Sequence, residues 1–361
     1  MQMKGAVSSS PPSVAVVRAD HIGDLVLTTP MIRALAENGW EVDVIGGLGI
    51  IELLRGNPHT RELFSLQEIA PGWPRAWWRL GRFLARRNYD AVLLPYAHPR
   101  RLLLASALSG APRKIAMWGG ILGRITRHEC VRSHFLNEVR PYASTVMRIL
   151  SPLGIQGGNL HPNLYLTQAE IENAHEYLNQ KLAKGIRIAI HPVGLGNACN
   201  LPLSTYRELL EIVLRRTDWK IVITGSEADR LKVIEWQRIS AAAEGRLRIA
   251  CGETDLRSLT AILHEVNAMV VASTGPLHLA AAVGTPTITA FCPQLPVCSG
   301  IWGHSPLELS SIEPFPPPCD ASKIHGAHCD FRGTVTAADL FTRLEHIVVG
   351  PAGSDEFKRD A

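Results

Sequence analysis

The sequence predicts an α/β protein with two domains, each built on a parallel sheet. Short apolar segments alternate along the chain with amphipathic segments of helical periodicity, which is typical of parallel sheets covered by helices. The length of 361 residues exceeds what one hydrophobic core usually holds, so two domains are expected. A composition of 46% hydrophobic and 19% charged residues is ordinary for a globular protein.

Elements of the first half can be placed from these apolar segments. Strands are predicted at Val14–Val17, Val42–Ile45 and Ala91–Leu94. A helix is predicted from Leu25 to Asn38, because the following Gly39 is a typical helix terminator. Residues 150–170 are rich in Gly, Pro and Asn and are the best candidate for a linker. The next helix should begin near Thr167, where Glu170 completes a capping box.

The second half repeats the pattern more regularly. Its predicted strands are Ile186–Ile190, Lys220–Ile223, Leu247–Ala250, Met269–Ala272 and Thr287–Phe291. We expect Ser204 to cap a helix that ends at Arg216, and a final helix to run from Thr336 to Ile347. Ligands of parallel α/β sheets bind beyond the carboxyl ends of the strands. The candidate binding loops are therefore 192–200, 224–229, 251–255 and 273–278.

Charge and cysteine content narrow the class of protein. A net charge of +4 permits an anionic partner without requiring nucleic acid, and we expect none. No apolar run is long enough to span a bilayer, and the first twenty residues lack the apolar core of a signal peptide. Seven cysteines, an odd number without a small-scaffold pattern, favour reduced thiols. We therefore expect a cytoplasmic protein.

The segment ASTGPLHLAAAVGTPTITAFCP, residues 272–293, is the most informative in the chain. It predicts a strand, a tight turn and a helix start, which leaves the N–H groups of Thr274 and Gly275 where a helix dipole favours an anion. Gly275 allows close approach of a ligand, and His278 lies just inside the helix. These features suit a diphosphate. A helix cap packed by small alanines explains this segment alone equally well.

Four motifs, taken together, resemble glycosyltransferase family 9, the family of ADP-heptose:lipopolysaccharide heptosyltransferases. They are RADHIGDLVLTTPMIRAL (18–35), IAIHPVGLGNACNLPLSTYREL (188–209), ITGSEADR (223–230) and STGPLHLAAAVGTPTITAFCP (273–293). The resemblance implies a GT-B architecture, in which two Rossmann-like domains face each other across a cleft. Residues 1–165 would bind the acceptor and 166–335 the nucleotide-sugar. Residues 336–361 would form a helix that crosses back to the first domain, and a tail.

The resemblance implies that Asp24 is the general base of an inverting transfer. A carboxylate beside the cleft can take the proton of a sugar hydroxyl as the new bond forms. The alternative is an ordinary helix N-cap, a position that Asp favours. Gly23 and Thr28 match the same motif, and nearby arginines would suit an acidic or phosphorylated acceptor. The acceptor-binding candidates are Gly23, Thr28, Arg100, Arg101 and Arg113.

The resemblance also implies a set of donor-binding residues. The diphosphate would contact Ser273, Thr274, Gly275 and His278, and backbone donors would come from Gly194 and Leu195. Asp229 would accept hydrogen bonds from the ribose hydroxyls, and Thr254 would contact the base. For Gly194 and Asp229 the alternatives are a simple glycine loop and a solvated residue at a helix start.

Two positions depart from the family pattern. Ser273 stands where the family often has Asp, which argues against magnesium at this turn. No cofactor is expected to be required, and magnesium stays open as an alternative. Cys199, Asn200 and Leu201 precede Pro202 where the family usually carries a Lys or Arg shortly before a Trp-Pro pair. A cation for the phosphates is therefore missing, unless an arginine from elsewhere replaces it.

Two further clusters have both an ordinary and a functional explanation. Residues 71–90 place Trp77 and Trp78 among five arginines, which could meet an anionic membrane or acceptor. A core-facing apolar stripe with a solvated basic face is the simpler interpretation. Near the C-terminus, the spacing of the soft side chains matches no known zinc finger and favours free thiols over a metal site. That cluster comprises Cys292, Cys298, Cys319, Cys329, His304, His325 and His328.

The sequence thus predicts an inverting glycosyltransferase. The expected donor is ADP-heptose or a related nucleotide-sugar. The expected acceptor is a lipopolysaccharide core, another bacterial glycan, lipid-linked or not, or a small glycosylated metabolite. Contact with the inner face of the inner membrane is an open option. Two alternatives remain, a sugar-nucleotide epimerase with the same two-domain plan and a non-catalytic nucleotide-sugar-binding protein.

Overall fold

The computed structural model describes residues 10–72, 75–96, 100–117, 120–131, 142–194, 200–290, 309–312 and 335–350. The chain divides into two compact units. The first comprises Met1–His134 and Ala143–Leu160, and the second comprises Phe135–Tyr142 and His161–Ala361. The main change from one unit to the other, at Leu160 and His161, falls within the Gly-, Pro- and Asn-rich segment.

The first unit contains a six-stranded sheet in the order β3-β2-β1-β4-β5-β6, and all its strand pairs are parallel. Its strands are β1 Ser13–Arg18, β2 Glu41–Gly46, β3 Glu62–Ser65, β4 Ala91–Leu94, β5 Arg113–Met117 and β6 Glu129–Val131. Its helices are α1 Ile22–Val26, α2 Thr29–Glu37, α3 Leu66–Ile69, α4 Ala76–Arg87, α5 Arg101–Ala107 and α6 Gly120–Ile125. Two 3₁₀ helices cover Ile51–Leu54 and Arg148–Leu153, and α7 spans Tyr142–Met147.

β1 lies at the centre of this sheet because its side chains are apolar on both faces. Val14 to Val17 are completely buried, and β1 pairs with β2 on one side and β4 on the other. The strand order changes direction between β1 and β4, so the sheet has a topological switch point there. The carboxyl ends of these two strands are the first place to look for a ligand site.

The helix predicted from Leu25 to Asn38 is interrupted and forms two helices, α1 and α2. Pro30 has no N–H to donate, so the helical hydrogen bonds cannot continue through it. The hydroxyls of Thr28 and Thr29 instead donate to the carbonyls of Asp24 and Val26, at 2.7 and 2.8 Å. The carbonyls at the end of α1 thereby keep hydrogen-bond partners.

The second unit repeats the same strand order, as β12-β11-β10-β7-β8-β9, and its strand pairs are also parallel. Its strands are β7 Arg187–His191, β8 Lys220–Ile223, β9 Leu247–Ile249, β10 Ala268–Val271, β11 Thr287–Ala290 and β12 Leu309–Ile312. Its helices are α8 Gln168–Lys181, α9 Leu203–Arg216, α10 Glu227–Arg230, α11 Gln237–Ala242, α12 Leu256–His264, α13 Gly275–Ala282 and α14 Ala337–Val349, with a 3₁₀ helix at Leu231–Trp236. The predicted class of two α/β domains with parallel sheets is confirmed.

Helix starts in the second unit test two predictions. α8 begins as predicted, because Thr167 and Glu170 form a capping box in which the Thr167 N–H donates to Glu170 Oε2 at 2.8 Å. The prediction for α9 was wrong, since Ser204 lies inside the helix and Pro202 is its N-cap. The extended backbone of Pro202, with φ −57° and ψ 148°, places its carbonyl to accept the N–H of Thr205 at 3.0 Å.

The final helix α14 begins after Thr336, which caps it through a second capping box with Asp339. Its buried face contains Leu340, Phe341 and Leu344, which belong to the core formed around β7, β8 and β10. This packing on the second unit differs from the expectation that the helix crosses back to the first domain. The apolar stripe of α14 is buried where the second sheet and α9 offer a matching apolar surface.

None of the helices in the described ranges is both long and apolar enough to cross a membrane.

Candidate functional site

The switch point of the first unit is organised by Arg18, the last residue of β1. Its side chain is completely buried, and its guanidinium lies between two carboxylates. Nε is 2.9 Å from Oδ1 of Asp20, and one terminal nitrogen donates to Oδ1 of Asp24 at 2.7 Å. The guanidinium carbon also lies 5.9 Å from the ring centroid of Tyr96, which follows β4. Residues from both central strands therefore meet here.

Asp24 lies in the first turn of α1 but does not cap it. The N-cap is His21, so the interpretation of Asp24 as an N-cap was wrong. The Asp24 side chain is 27% exposed and is held by the buried Arg18. A carboxylate that is oriented by a buried cation and still reaches solvent is suited to accept a proton from a bound hydroxyl.

Asp20 has an unusual acidity in this cluster. Burial and, to a smaller extent, the neighbouring charge of Asp24 raise its pKa to about 6, against the opposing attraction of Arg18. The Asp20 carboxyl group that faces Arg18 therefore changes from neutral to ionised as the pH rises through about 6. Our sequence reasoning used neither Arg18 nor Asp20, although both stand in the quoted RADHIGD motif.

The structure separates the predicted acceptor-binding residues into two groups. Arg100 and Arg101 are exposed at the start of α5, after β4, and so lie on the same sheet edge as Asp24. Gly23 is buried, and its carbonyl accepts the N–H of Leu27 at 2.9 Å. Thr28 is completely buried, and its hydroxyl donates to the Asp24 carbonyl. Thr28 therefore stabilises the end of α1 and does not reach an acceptor, which corrects the expectation.

Arg113 also corrects the expectation. It is the first residue of β5, at the amino end of a parallel strand, and so lies at the sheet edge opposite to Asp24. Its guanidinium donates to both oxygens of Glu129, at 2.5 and 2.8 Å, and to the Pro152 carbonyl at 2.8 Å. It links β5, β6 and the 3₁₀ helix at Arg148–Leu153.

The switch point of the second unit lies between β7 and β10, and the predicted diphosphate turn is there. Ser273 and Thr274 follow β10, and Gly275 and Pro276 begin α13. The Thr274 side chain makes no capping hydrogen bond. Among the described residues, no acceptor is found for the N–H groups of Thr274 and Gly275. His278 is buried within α13 and is not a surface histidine.

Asn200 connects this turn to the loop after β7. Its Oδ1 accepts the N–H of Ser273 at 3.1 Å. A Cβ atom on Gly194 would lie 2.3 Å from Nδ2 of the same side chain, so only glycine allows Asn200 to take this position. The predicted donor residue Leu195 and the neighbouring Cys199 lie outside the described residues. From the sequence, Asn200 was distinguished only as part of a departure from the family pattern.

His191 ends β7 beside this loop and was not predicted as a site residue. It is buried, and its Nδ1 lies 2.9 Å from the hydroxyl of Thr224, which follows β8. Burial lowers the pKa of His191 to about 4, so the ring is neutral at pH 7. A histidine at the end of the apolar strand IAIH is the signal that could have identified it.

Asp229 already uses both its carboxylate oxygens within the protein. Oδ2 accepts from the N–H and the hydroxyl of Ser226, at 3.0 and 2.6 Å, and Oδ1 accepts from Lys232 at 3.0 Å. Burial would raise its pKa, but these hydrogen bonds outweigh burial and hold the pKa below its usual value. Thr254 is half-buried in the turn between β9 and α12. Both lie on the carboxyl edge of the sheet, as the turn at 273–278 does.

The cysteines and histidines of the cluster predicted to hold free thiols all lie outside the described residues; they are Cys292, Cys298, Cys319, Cys329, His304, His325 and His328. Within the part of the chain that the structure describes, no group of three His, Cys, Asp or Glu side chains could hold a metal ion.

Comparison with solved structures supports the GT-B fold. A glycosyltransferase family 9 structure from Veillonella parvula matches with a TM-score of 0.76 at 16% identity, over 95% of this chain and 99% of that chain. E. coli ADP-heptose lps heptosyltransferase II gives 0.72 at 18% identity, over 93% and 98%. E. coli heptosyltransferase WaaC with ADP gives 0.66 at 15% identity, over 93% and 99%. The predicted fold class is thereby confirmed.

Sequence comparison identifies the family. A Haemophilus influenzae protein named "Putative glycosyltransferase" is 28% identical over 133 residues, which is 35% of this chain and 37% of that protein's length. The model of glycosyltransferase family 9 (heptosyltransferase) matches residues 77–323, well over half of the sequence. The chain therefore belongs to glycosyltransferase family 9.

Proposed function

We propose that this protein is an inverting glycosyltransferase that moves a sugar from a nucleotide-sugar to an acceptor hydroxyl, with Asp24 as the general base. The observation that carries the proposal is the geometry of Asp24, which is fixed by the buried Arg18 and remains 27% exposed. A general base must be ionised, oriented and accessible, and this carboxylate meets the last two requirements in the structure.

The proposed reaction is a single displacement. The acceptor oxygen attacks the anomeric carbon of the donor and its proton passes to an Asp24 oxygen. The bond between the anomeric carbon and the diphosphate oxygen breaks, and the nucleoside diphosphate leaves with the bonding electrons. Arg18 positions Asp24 throughout, because a charge-assisted hydrogen bond from a buried guanidinium holds the carboxylate in one orientation.

The departing diphosphate acquires negative charge, and we assign its stabilisation to the turn at 273–278. The N–H groups of Thr274 and Gly275 lie at the start of α13, where the helix dipole favours an anion. A protonated His278 would add a charge-assisted hydrogen bond. We propose that no metal cofactor is required. Gly194 and Leu195 would add backbone donors, and Asp229 and Thr254 would contact the ribose and the base.

The donor we favour is ADP-heptose. Two structurally similar E. coli proteins are an ADP-heptose lps heptosyltransferase and heptosyltransferase WaaC with ADP, and the matching family is that of heptosyltransferases. The acceptor we favour is a lipopolysaccharide core or another bacterial glycan, with Arg100 and Arg101 beside its acidic groups. The reaction would take place in the cytoplasm, at the inner face of the inner membrane if the acceptor is lipid-linked.

The substitution Asp24→Asn tests the proposed base. It keeps the size of the side chain and its contact with Arg18 but removes the proton acceptor. We expect turnover to fall by about 10²–10⁴-fold with unchanged donor affinity, the usual contribution of a general base. The measurement is release of nucleoside diphosphate from a panel of nucleotide-sugars in the presence of glycan acceptors.

Asp218→Asn provides a matched control, because this carboxylate is 88% exposed in the second unit. Turnover of Asp24→Asn close to that of the control would refute the role of Asp24. Conversion of the nucleotide-sugar in the absence of any acceptor would indicate the epimerase alternative.

A further inference from the structure

Positive charge is concentrated in one part of the first unit. Residues 71–128 contain eleven Lys and Arg residues and a single acidic residue, Asp90. The whole chain has a net charge of only +4, so the remaining residues are net negative. This segment includes α4, α5 and α6. The concentration of positive charge on it indicates that this part of the surface meets an anionic partner.

The exposed face of α4 carries a row of four arginines. Arg75 precedes the helix and the others follow at helical spacing, while Leu80 and Leu84 point into the core. None of the four forms an ion pair with an acidic side chain in the described part of the chain. Arg87, by contrast, pairs with the buried Asp43 and with Glu62. The row consists of Arg75, Arg79, Arg82 and Arg86.

Large apolar side chains are also exposed on these three helices. Trp78 is 43% exposed, and the guanidinium of Arg82 lies 4.7 Å from its ring centroid. Ile121 and Ile125, one turn apart on α6, are 78% and 71% exposed. Leu108, at the end of α5, is also exposed. Exposed isoleucines are costly in water, so their presence on a short helix calls for an explanation.

The three helices cover the same side of the sheet. Leu80 and Leu84 of α4 pack in one core with Leu102 and Leu103 of α5, and Leu122 of α6 packs against that core. α4 and α5 are in direct contact, since a Cβ atom on Gly81 would lie 2.8 Å from Cβ of Leu108. The outer sides of α4, α5 and α6 are therefore on the same side of the first sheet, and we call this side the α4–α6 face.

We propose that the α4–α6 face binds the surface of an anionic lipid bilayer. Its arginines complement anionic headgroups, and Arg–Trp pairs are suited to the headgroup region. Ile121 and Ile125 would insert into the apolar boundary, as the apolar side chains of interfacial helices do. Nucleic acid would complement the arginines but would leave the isoleucines in water. An anionic bilayer accounts for both features.

Flotation with vesicles tests this proposal. The full chain should bind vesicles of phosphatidylglycerol and phosphatidylcholine, and binding should weaken as salt rises because the charges are exposed. It should bind vesicles of phosphatidylcholine alone far less. The vesicles carry no nucleotide-sugar or glycan, so the outcome is independent of the proposed sugar transfer.

Two double variants separate charge from insertion. Arg82→Glu with Arg86→Glu should lower the partition coefficient on anionic vesicles by about 30-fold or more, since each basic residue at such a surface contributes about fivefold. Ile121→Ser with Ile125→Ser should lower it by about tenfold or more, and this loss should persist at high salt.

The controls make equal changes on the second unit. Arg215→Glu with Arg238→Glu alters net charge by the same amount, and Leu231→Ser with Ile234→Ser alters two side chains that are 72% and 46% exposed. Both should bind like the wild type. Equal binding to the two kinds of vesicle, equal losses in the controls, or no binding at all would overturn the proposal. So would a change from dimer to monomer in the α4–α6 variants, because the face would then be a contact between copies of this chain.

Discussion

Arg18 is the residue that organises the candidate catalytic cluster. It is completely buried at the end of β1 and balances two carboxylates, Asp20 and Asp24, that differ in environment. A buried arginine of this kind is expensive unless it is paired. The arrangement keeps Asp24 oriented and leaves Asp20 with a pKa near neutrality.

The raised pKa of Asp20 predicts a pH-dependent contribution to stability. The folded protein holds the proton up to about pH 6, whereas the unfolded carboxyl releases it near 3.8. The contribution of Asp20 is therefore fully present below pH 3.8 and is lost as the pH rises through 6. A difference of about 2 between the folded and unfolded pKa values corresponds to about 3 kcal/mol of stability.

The substitution Asp20→Asn measures this contribution. The unfolding free energy of the wild type minus that of the variant should fall by about 2.5 kcal/mol between pH 4 and pH 7. Chemical denaturation at several pH values gives the difference. The exposed Asp218→Asn should show no such trend. A flat difference for Asp20→Asn would mean that its carboxyl titrates normally.

Gly194 is a second residue whose identity the structure requires. An alanine there would place a methyl carbon 2.3 Å from the Asn200 amide and force that side chain away from Ser273. We expect Gly194→Ala to weaken binding of nucleoside diphosphate by about tenfold, the value of one net hydrogen bond in the donor turn. Calorimetric titration with ADP measures this affinity.

Gly47→Ala is the control, since its Cβ would make only an ordinary contact at 3.6 Å. Equal affinity in both variants would remove Asn200 from the donor site.

At the scale of elements, α8 and α12 are joined by an ion pair between Glu170 and Arg257. Arg257 donates from Nε to Glu170 Oε1 at 2.8 Å, contacts Oε2 through a terminal nitrogen, and donates to the Tyr165 carbonyl. Hydrogen bonds from Arg257 hold the pKa of Glu170 at about 2, although burial opposes the shift. The same carboxylate completes the capping box of α8.

Glu170→Gln should therefore destabilise the second unit by about 3 kcal/mol at pH 7, because it removes the carboxylate charge that pairs with the buried Arg257. The folded pKa of Glu170 is depressed, so its stabilisation is present above pH 4.5 and is lost as the pH falls towards 2. The unfolding free energies of the wild type and the variant should converge at low pH in denaturation experiments.

Glu211→Gln is the control. It removes an exposed i,i+4 pair with Arg207 and should cost less than about 1 kcal/mol. Equal effects of the two substitutions would contradict this account.

At the scale of the whole molecule, each unit has a separate hydrophobic core. One is centred on β1 and β4 with α4 and α5, and the other on β7, β8 and β10 with α9 and α14. A domain with its own core can unfold as its own cooperative unit. The two units are therefore expected to respond differently to a ligand that binds only one of them.

Hydrogen exchange with and without ADP tests this expectation. At a concentration 100 times its dissociation constant, a ligand stabilises its domain by about 2.7 kcal/mol. We expect the added protection in the turn at 273–278 and the strands β7 and β10, with little change in β1 to β6. Equal protection of both sheets would show that ADP does not bind the second unit selectively.

The buried central strands were predicted from the sequence more accurately than the strands near the edges of the sheets. The central strands are continuous apolar runs, and Ala91–Leu94 and Lys220–Ile223 have the predicted bounds. The edge strands β3 and β6, and β5 next to β6, carry polar residues and were not predicted, because pairing with a neighbour rather than local composition stabilises them. Pro30 indicates a break in the sequence, but the apolar residues on both sides of it follow one helical pattern and were predicted as a single helix.

The sequence by itself determined the family, the α/β class and the contiguous motifs that hold Asp24 and the turn at 273–278. The residues of a contiguous motif lie close together in space, because neighbours in the sequence share one turn or one helix start. Only the tertiary structure decided which distant residues meet. Asn200 reaches Ser273 across 73 positions of sequence, whereas Arg113 lies at the sheet edge opposite to Asp24. The direction of a parallel strand assigns each residue to one edge, and Arg18 is buried because its strand β1 pairs with a strand on each side.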